Sequence, residues 1–120
     1  MTNMENKLYL VPAPLGDYEP QMVIPAPVLE KLREIRIFVV EELRTARRYL
    51  SQAGLKGHIA ELEFHELNEH SVQDSVEDLA ELFERGDVAM ISEAGLPAVA
   101  DPVAKLVALC HRHGIRVIPL

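Results

Sequence analysis

Four short apolar runs punctuate the chain: Leu8–Val11, Ile37–Val40, Val88–Ile91 and Ile115–Ile118. Each is rich in β-branched or aromatic residues and too short to make an independent helix. Continuous apolar runs of this length suit strands buried on both faces, as in a parallel sheet. A fifth segment, Ala60–Phe64, alternates instead. Ala60, Leu62 and Phe64 share one side; Glu61, Glu63 and His65 share the other. Strict alternation predicts a half-exposed strand at a sheet edge.

Helical spacing fills the intervals. Val28, Leu29, Leu32 and Ile35 form a short stripe after Pro25-Ala26-Pro27. Leu43, Ala46, Leu50 and Ala53 form a second, stopped by Gly54. Val72, Val76, Leu79, Ala80 and Phe83 form a third, with Ser71 as a cap and Gly86 in a left-handed turn past its end. A fourth follows Asp101 as N-cap and Pro102 in the first turn, where the missing N–H of proline costs nothing. His111, Arg112 and His113 fall in its last turn, complementing the helix dipole, and Gly114 follows.

The resulting order is β-α-β-α-β-α-β-α-β. It predicts an α/β fold in one domain over residues 1–120: a mostly parallel five-stranded sheet, with right-handed crossovers and helices on both faces. The looser stretches are residues 1–6 and the proline-rich Gly16–Pro27. The final run, Ile115–Leu120, is a strand pattern with nothing after it. Because the loop after such a strand commonly completes a ligand cleft, a domain cut from a longer protein is the expectation.

Composition narrows the function classes. Apolar residues are 48% of the 120, enough for a core, and the formal net charge is −7. An acidic chain is a poor sequence-independent nucleic-acid binder on its own. No apolar run approaches the ~18 residues of a membrane span, and the N-terminus lacks a signal-peptide pattern. The one cysteine, Cys110, forms no internal disulfide and lies on an apolar helical face. These features fit a cytoplasmic protein.

Four stretches could carry chemistry. Pro12–Asp17 leaves the first strand, and Gly16 there allows close approach of a ligand or a plain strand-to-helix turn. Glu41-Glu42 with Arg44, Arg47 and Arg48 reads either as a solvated helix face or as a cleft acid beside phosphate-binding arginines. His65–His70 reads as a polar loop, since its spacing matches no zinc motif. Ser92–Pro102 (S-E-A-G-L-P-A-V-A-D-P) leaves the Val88–Ile91 strand. In α/β proteins the loops at the carboxyl ends of strands bind ligands; a crossover loop capped by Asp101 is the other reading. Nucleophile-elbow, P-loop, dinucleotide and paired-cysteine motifs are absent, and no metal site is expected.

Together these blocks resemble the N-terminal half of the tetrapyrrole methylase superfamily, and most closely its ribosomal RNA 2′-O-ribose methyltransferase branch. Leu8–Asp17 is similar to the opening strand and loop of that branch. Val40-Glu41-Glu42-Leu43-Arg44 resembles its Ala-Glu-Asp-Thr-Arg, and Phe64-His65-Glu66-Leu67-Asn68-Glu69 its Tyr-His-Glu-x-Asn-Glu. Ser92–Pro102 resembles its Ser-Asp-Ala-Gly-Thr-Pro-x-x-x-Asp-Pro. The chain departs from the pattern at Glu42, Leu43, Glu93 and Leu96, which points to a divergent subgroup.

The resemblance implies a two-domain, homodimeric methyltransferase that uses S-adenosyl-L-methionine and of which this chain is the first domain. It places the cofactor against Pro14, Leu15, Gly16 and Asp17 after the first strand, and against Ser92, Ala94, Gly95 and Pro97 after the fourth. Glu42 and Glu93 are the acids expected to act as base, and Arg44 and Arg47 the side chains expected to meet substrate. The substrate would be ribosomal RNA or, alternatively, a tetrapyrrole or other small molecule. A non-catalytic nucleotide-binding or dimerisation module is the reading from another class. The fragment alone is expected to be inactive, because half the pocket is missing.

Overall fold

The computed structural model describes residues 6–13, 26–67, 77–93 and 102–120. Strand β1 is Lys7–Ala13, and helix α1 (Ala26–Glu34) leads to β2 (Ile37–Val40). Helix α2 (Leu43–Leu50) runs on through a π-helical turn, Ser51–Leu55, and a 3-10 helix, Lys56–Glu61, to β3 (Glu63–Glu66). A 3-10 turn at Glu77–Glu81 and one α-turn, α3 (Leu82–Arg85), precede β4 (Val88–Glu93); α4 (Pro102–Arg112) and β5 (Arg116–Pro119) close the described chain.

The five strands form one sheet in the order β3-β2-β4-β1-β5, and each paired neighbour is parallel. The predicted α/β architecture is therefore observed, and the sheet is wholly parallel. Alternate strand residues face opposite layers. Leu8, Ile37, Val39, Val88 and Met90 pack with Leu79, Leu82, Phe83, Leu106, Leu109 and Cys110 on one face. Tyr9, Val11, Phe38, Val40, Ala89 and Ile91 pack with Leu32 of α1, Ile35 just after it, and Ala46, Tyr49 and Leu50 of α2 on the other. All four residues of β2 are buried, as a strand covered on both faces must be.

Direction and face are coupled. From β1 the chain steps through β2 to β3 in one direction, with α1 and α2 on one face; from β3 it steps back through β4 to β5, with α3 and α4 on the other. Right-handed crossovers moving in opposite directions require opposite faces. Adjacent strands β1 and β4 thus send their connections to opposite sides, which makes their carboxyl ends the topological switch point of the sheet.

Several local expectations are corrected. Ala60 and Glu61 belong to the 3-10 helix, so the edge strand begins at Glu63. The reason is the turn at Gly54, whose φ of 94° lies in the left-handed region and allows a second short helix before the strand. Gly86 is extended (φ 164°, ψ −176°) rather than left-handed, because the chain passes straight into β4 through Asp87, whose carboxylate accepts the Lys7 N–H at 2.8 Å. Gly114 does take a left-handed φ of 70° after α4. Leu67, read as part of a polar loop, is fully buried; its N–H donates to the Val40 carbonyl at 2.8 Å. The third helical stripe is seen only from residue 77, and Ser71, Val72, Val76 and Asp101 lie outside the described residues.

Candidate functional site at the carboxyl edge of the sheet

The tips of four strands stand level. Val11 pairs with Ile91, Ile91 with Val40, and Val40 with Glu66. Strands β1 and β4 continue together for two more residues, Pro12 beside Ser92 and Ala13 beside Glu93. The chain leaves both strands at this point. The last described residues of the two strands, Ala13 and Glu93, are therefore neighbours at the switch point. The expected cofactor residues Pro14, Leu15, Gly16, Asp17, Ala94, Gly95 and Pro97 themselves lie outside the described residues, while Ser92 and Glu93 are described as backbone of β4.

Glu42 sits two residues beyond the Val40–Ile91 pair, on the same edge as the end of β4. Its backbone is extended (φ −141°, ψ 122°) at the N-cap of α2, yet its carboxylate does not cap the helix. Glu42 Oε1 instead accepts a hydrogen bond from Thr45 Oγ1 at 2.5 Å, and the side chain is exposed. The helix start is held by a residue that sequence reasoning did not single out. Glu66 Oε2, at the end of β3, accepts the Leu43 N–H at 3.0 Å. A carboxylate there satisfies a backbone donor left over at the helix start and favours the positive end of the helix dipole. The signal was available as an acid closing the edge strand, but pairing 23 residues apart is a tertiary event.

Arg44, Arg47 and Arg48 are exposed on the outer side of α2, opposite buried Ala46, Tyr49 and Leu50. Three residues apart and four apart are the helical neighbours, so the arginines form one stripe. The Arg47 guanidinium lies 5.7 Å from the Phe64 ring centroid, and Phe64 in turn stands 5.8 Å from Phe38.

On the opposite side of the edge strand, Glu63 takes a bidentate pair from Arg85 of α3, at 2.8 and 2.7 Å. His65 Nε2 lies 2.5 Å from the same carboxylate. The Arg85 hydrogen bond, then the His65 one, hold Glu63 down to about 2. This cluster clamps β3 to α3. His65 serves a structural pair here, and no group of three metal-ligating side chains is found among the described residues. Cys110 is buried in the α4 face, and desolvation pushes its thiol up to about 12.

A wholly parallel, doubly wound sheet whose strands β1 and β4 end side by side at the switch point defines the class as α/β. Comparison with known proteins makes that class specific. Ribosomal RNA small subunit methyltransferase I of Haemophilus influenzae is 33% identical over 121 residues, covering 100% of this chain and 40% of that protein. The protein of the same name from Mesorhizobium japonicum is 34% identical over 98% of this chain and 37% of its own length. That from Thermotoga maritima is 32% identical over 92% of this chain and 47% of its own. No family model matches. The chain is thus homologous over its whole length to the ribosomal RNA small subunit methyltransferase I proteins, which bears out the tetrapyrrole methylase resemblance. It spans about two fifths of the length of the curated relatives it matches.

Proposed function

We propose that this chain is the first domain of an S-adenosyl-L-methionine-dependent methyltransferase that modifies ribosomal RNA, acting on a ribose 2′-hydroxyl. The observation that carries the reading is the pairing of Ala13 with Glu93 at the switch point, in a chain whose relatives are named ribosomal RNA methyltransferases. A crevice where neighbouring parallel strands send their connections to opposite faces fits a nucleoside cofactor. Pro14, Leu15, Gly16, Asp17, Ser92, Ala94, Gly95 and Pro97 are the residues that would hold it, and its sulfonium would supply the methyl group.

The protein's part is then mainly alignment. Holding an acceptor oxygen in line with a reactive methyl removes the entropic cost of the encounter. A base that takes the hydroxyl proton adds to this, and Glu42 and Glu93 are the acids on the correct edge. Glu42 would have to exchange Thr45 for substrate, a small rearrangement for an exposed side chain. Arg44 and Arg47 would meet the RNA. A second domain, a homodimer and a cytoplasmic location complete the reading, and no helix among the described residues is long and apolar enough to cross a membrane.

The test is to incubate the full-length protein with methyl-labelled cofactor and small ribosomal subunits lacking the modification. Label in the ribosomal RNA, at a ribose, supports the reading. Label in small pigments alone would replace RNA with a small-molecule substrate, and no transfer to any fraction would leave a non-catalytic module. Residues 1–120 alone should transfer no methyl group.

A further inference from the structure

The charge of the chain is divided between the two faces of the sheet. Over residues 26–62, which build the α1/α2 face, there are seven Lys or Arg and five Asp or Glu, and Glu66, seated on the start of α2, adds a sixth acid. Over 77–93 and 102–120, which build the α3/α4 side, there are four and six. The net charge of −7 therefore lies off the α1/α2 face, which carries slightly more basic than acidic side chains.

That face has a direction. Helix α2 starts at the carboxyl end of β2 and delivers the chain to the amino end of β3, so it runs from the candidate site to the opposite edge of the sheet. With the π-turn it covers residues 43–55, roughly 20 Å at ~1.5 Å per residue. Arg44, Arg47 and Arg48 lie exposed along it. At its far end a groove of about 300 Å³ opens between α1 and the 3-10 helix, with Leu32, Ile35, Leu55 and Leu62 inside and Arg33, Arg36, His58 and Glu61 among its lining. Arg33, Arg36 and His58 are exposed. The groove on the other face is lined by Glu77, Asp78, Glu81 and Glu84 against His113, with Glu77 paired to Arg112, and its excess of acids would repel a phosphate.

We propose that a single-stranded RNA lays its ribose–phosphate backbone along the outer side of α2, from Arg44 beside the candidate site to the Arg33/Arg36 groove at the opposite edge. The proposal rests on the RNA methyltransferase reading above and extends it from Arg44 and Arg47 to Arg48, Arg33 and Arg36, which that reading does not use. Exposed arginines in line with one another match a run of phosphates by charge, and their planar guanidinium groups match it by geometry. Arg47, seated on the Phe64 ring, has already lost part of its side-chain freedom and pays less to bind. The guanidinium planes of Arg33 and Arg36 and the imidazole of His58, all lining the groove, offer surfaces on which a base can stack, the usual way in which single-stranded RNA is gripped.

The experiment measures the affinity of the full-length protein for a short single-stranded RNA over a series of salt concentrations. Three variants are compared with the wild type: Arg44→Gln with Arg48→Gln on the helix, Arg33→Gln with Arg36→Gln at the groove, and Lys105→Gln on α4 of the other face as control. Each lost phosphate contact should flatten the plot of log affinity against log salt by about 0.7. The helix and groove variants are each expected to flatten it by more than 1, with calorimetric affinity for S-adenosyl-L-methionine unchanged. The control should match the wild type. A groove or helix variant that keeps the wild-type slope overturns the track, as does a control that loses as much as they do. A wild-type protein whose binding ignores salt overturns the RNA reading itself, and the track with it.

Discussion

Glu66 accepts a hydrogen bond from the backbone N–H of Leu43 at 3.0 Å, so the last residue of the edge strand holds the first residue of α2. This one contact fixes where the arginine-bearing helix begins relative to the strand tips. Removing it with Glu66→Ala should destabilise the protein by ~1 kcal/mol, the usual cost of a lost helix cap. Glu66→Gln keeps an acceptor and should recover part of that loss. Urea denaturation of both variants measures it, and equal stability of wild type and Glu66→Ala would mean the contact is incidental.

The Glu63–Arg85–His65 cluster predicts an acid dependence. Arg85 first, and His65 second, lower the folded-state value of Glu63 from 4.5 to about 2. A group lowered on folding contributes stability that is complete above its unfolded value and is lost as pH falls through its folded value. The window is therefore from about 4.5 down to about 2. The side chain of Glu63 is 37% exposed, so solvent screening keeps the effect modest. Thermal denaturation of wild type should fall more steeply across that window than that of Glu63→Gln, and parallel curves would contradict the assignment.

Phe38 is fully buried in β2 and faces both Phe64 and the α1/α2 layer. Phe38→Ala should cost about 3–5 kcal/mol, through lost burial and the cavity left in a layer that cannot close over it. Phe64→Ala, at the partly exposed edge, should cost clearly less. Guanidinium denaturation ranks the two, and a reversed order would place the core elsewhere.

Cys110 is 0% exposed and its thiol is pushed up to about 12 by desolvation. The thiolate is the reactive form, so the native protein should not react with a thiol-specific disulfide reagent at neutral pH. Reaction should appear on unfolding, at the rate of global opening. Prompt labelling of the folded protein would show that the α4 face opens locally.

Much of this architecture was legible in the order of residues because burial imposes periodicity. Ile37–Val40 could be read as a strand covered on both sides, and it is buried throughout. The Leu43, Ala46 and Leu50 spacing predicted the inward side of α2, and by exclusion the outward arginines. Leu67 and Gly86 were misread for one physical reason. A lone leucine among polar residues carries no periodic signal, and a glycine tolerates both the left-handed and the extended backbone. Tertiary packing decides between the two.

The sequence by itself determined the layers: which residues face inward, which helices intervene, and which two loops carry the glycines. Local side-chain pattern encodes these, since each depends only on neighbours along the chain. The tertiary structure alone decided the strand order, with β4 inserted beside β1. That insertion brings the ends of β1 and β4 together, and the pairing of β3 with β2 seats Glu66 on α2. Contacts between residues twenty to eighty positions apart have no signature in the local pattern, because they arise only when the hand of the crossovers and the burial of both sheet faces are satisfied at once.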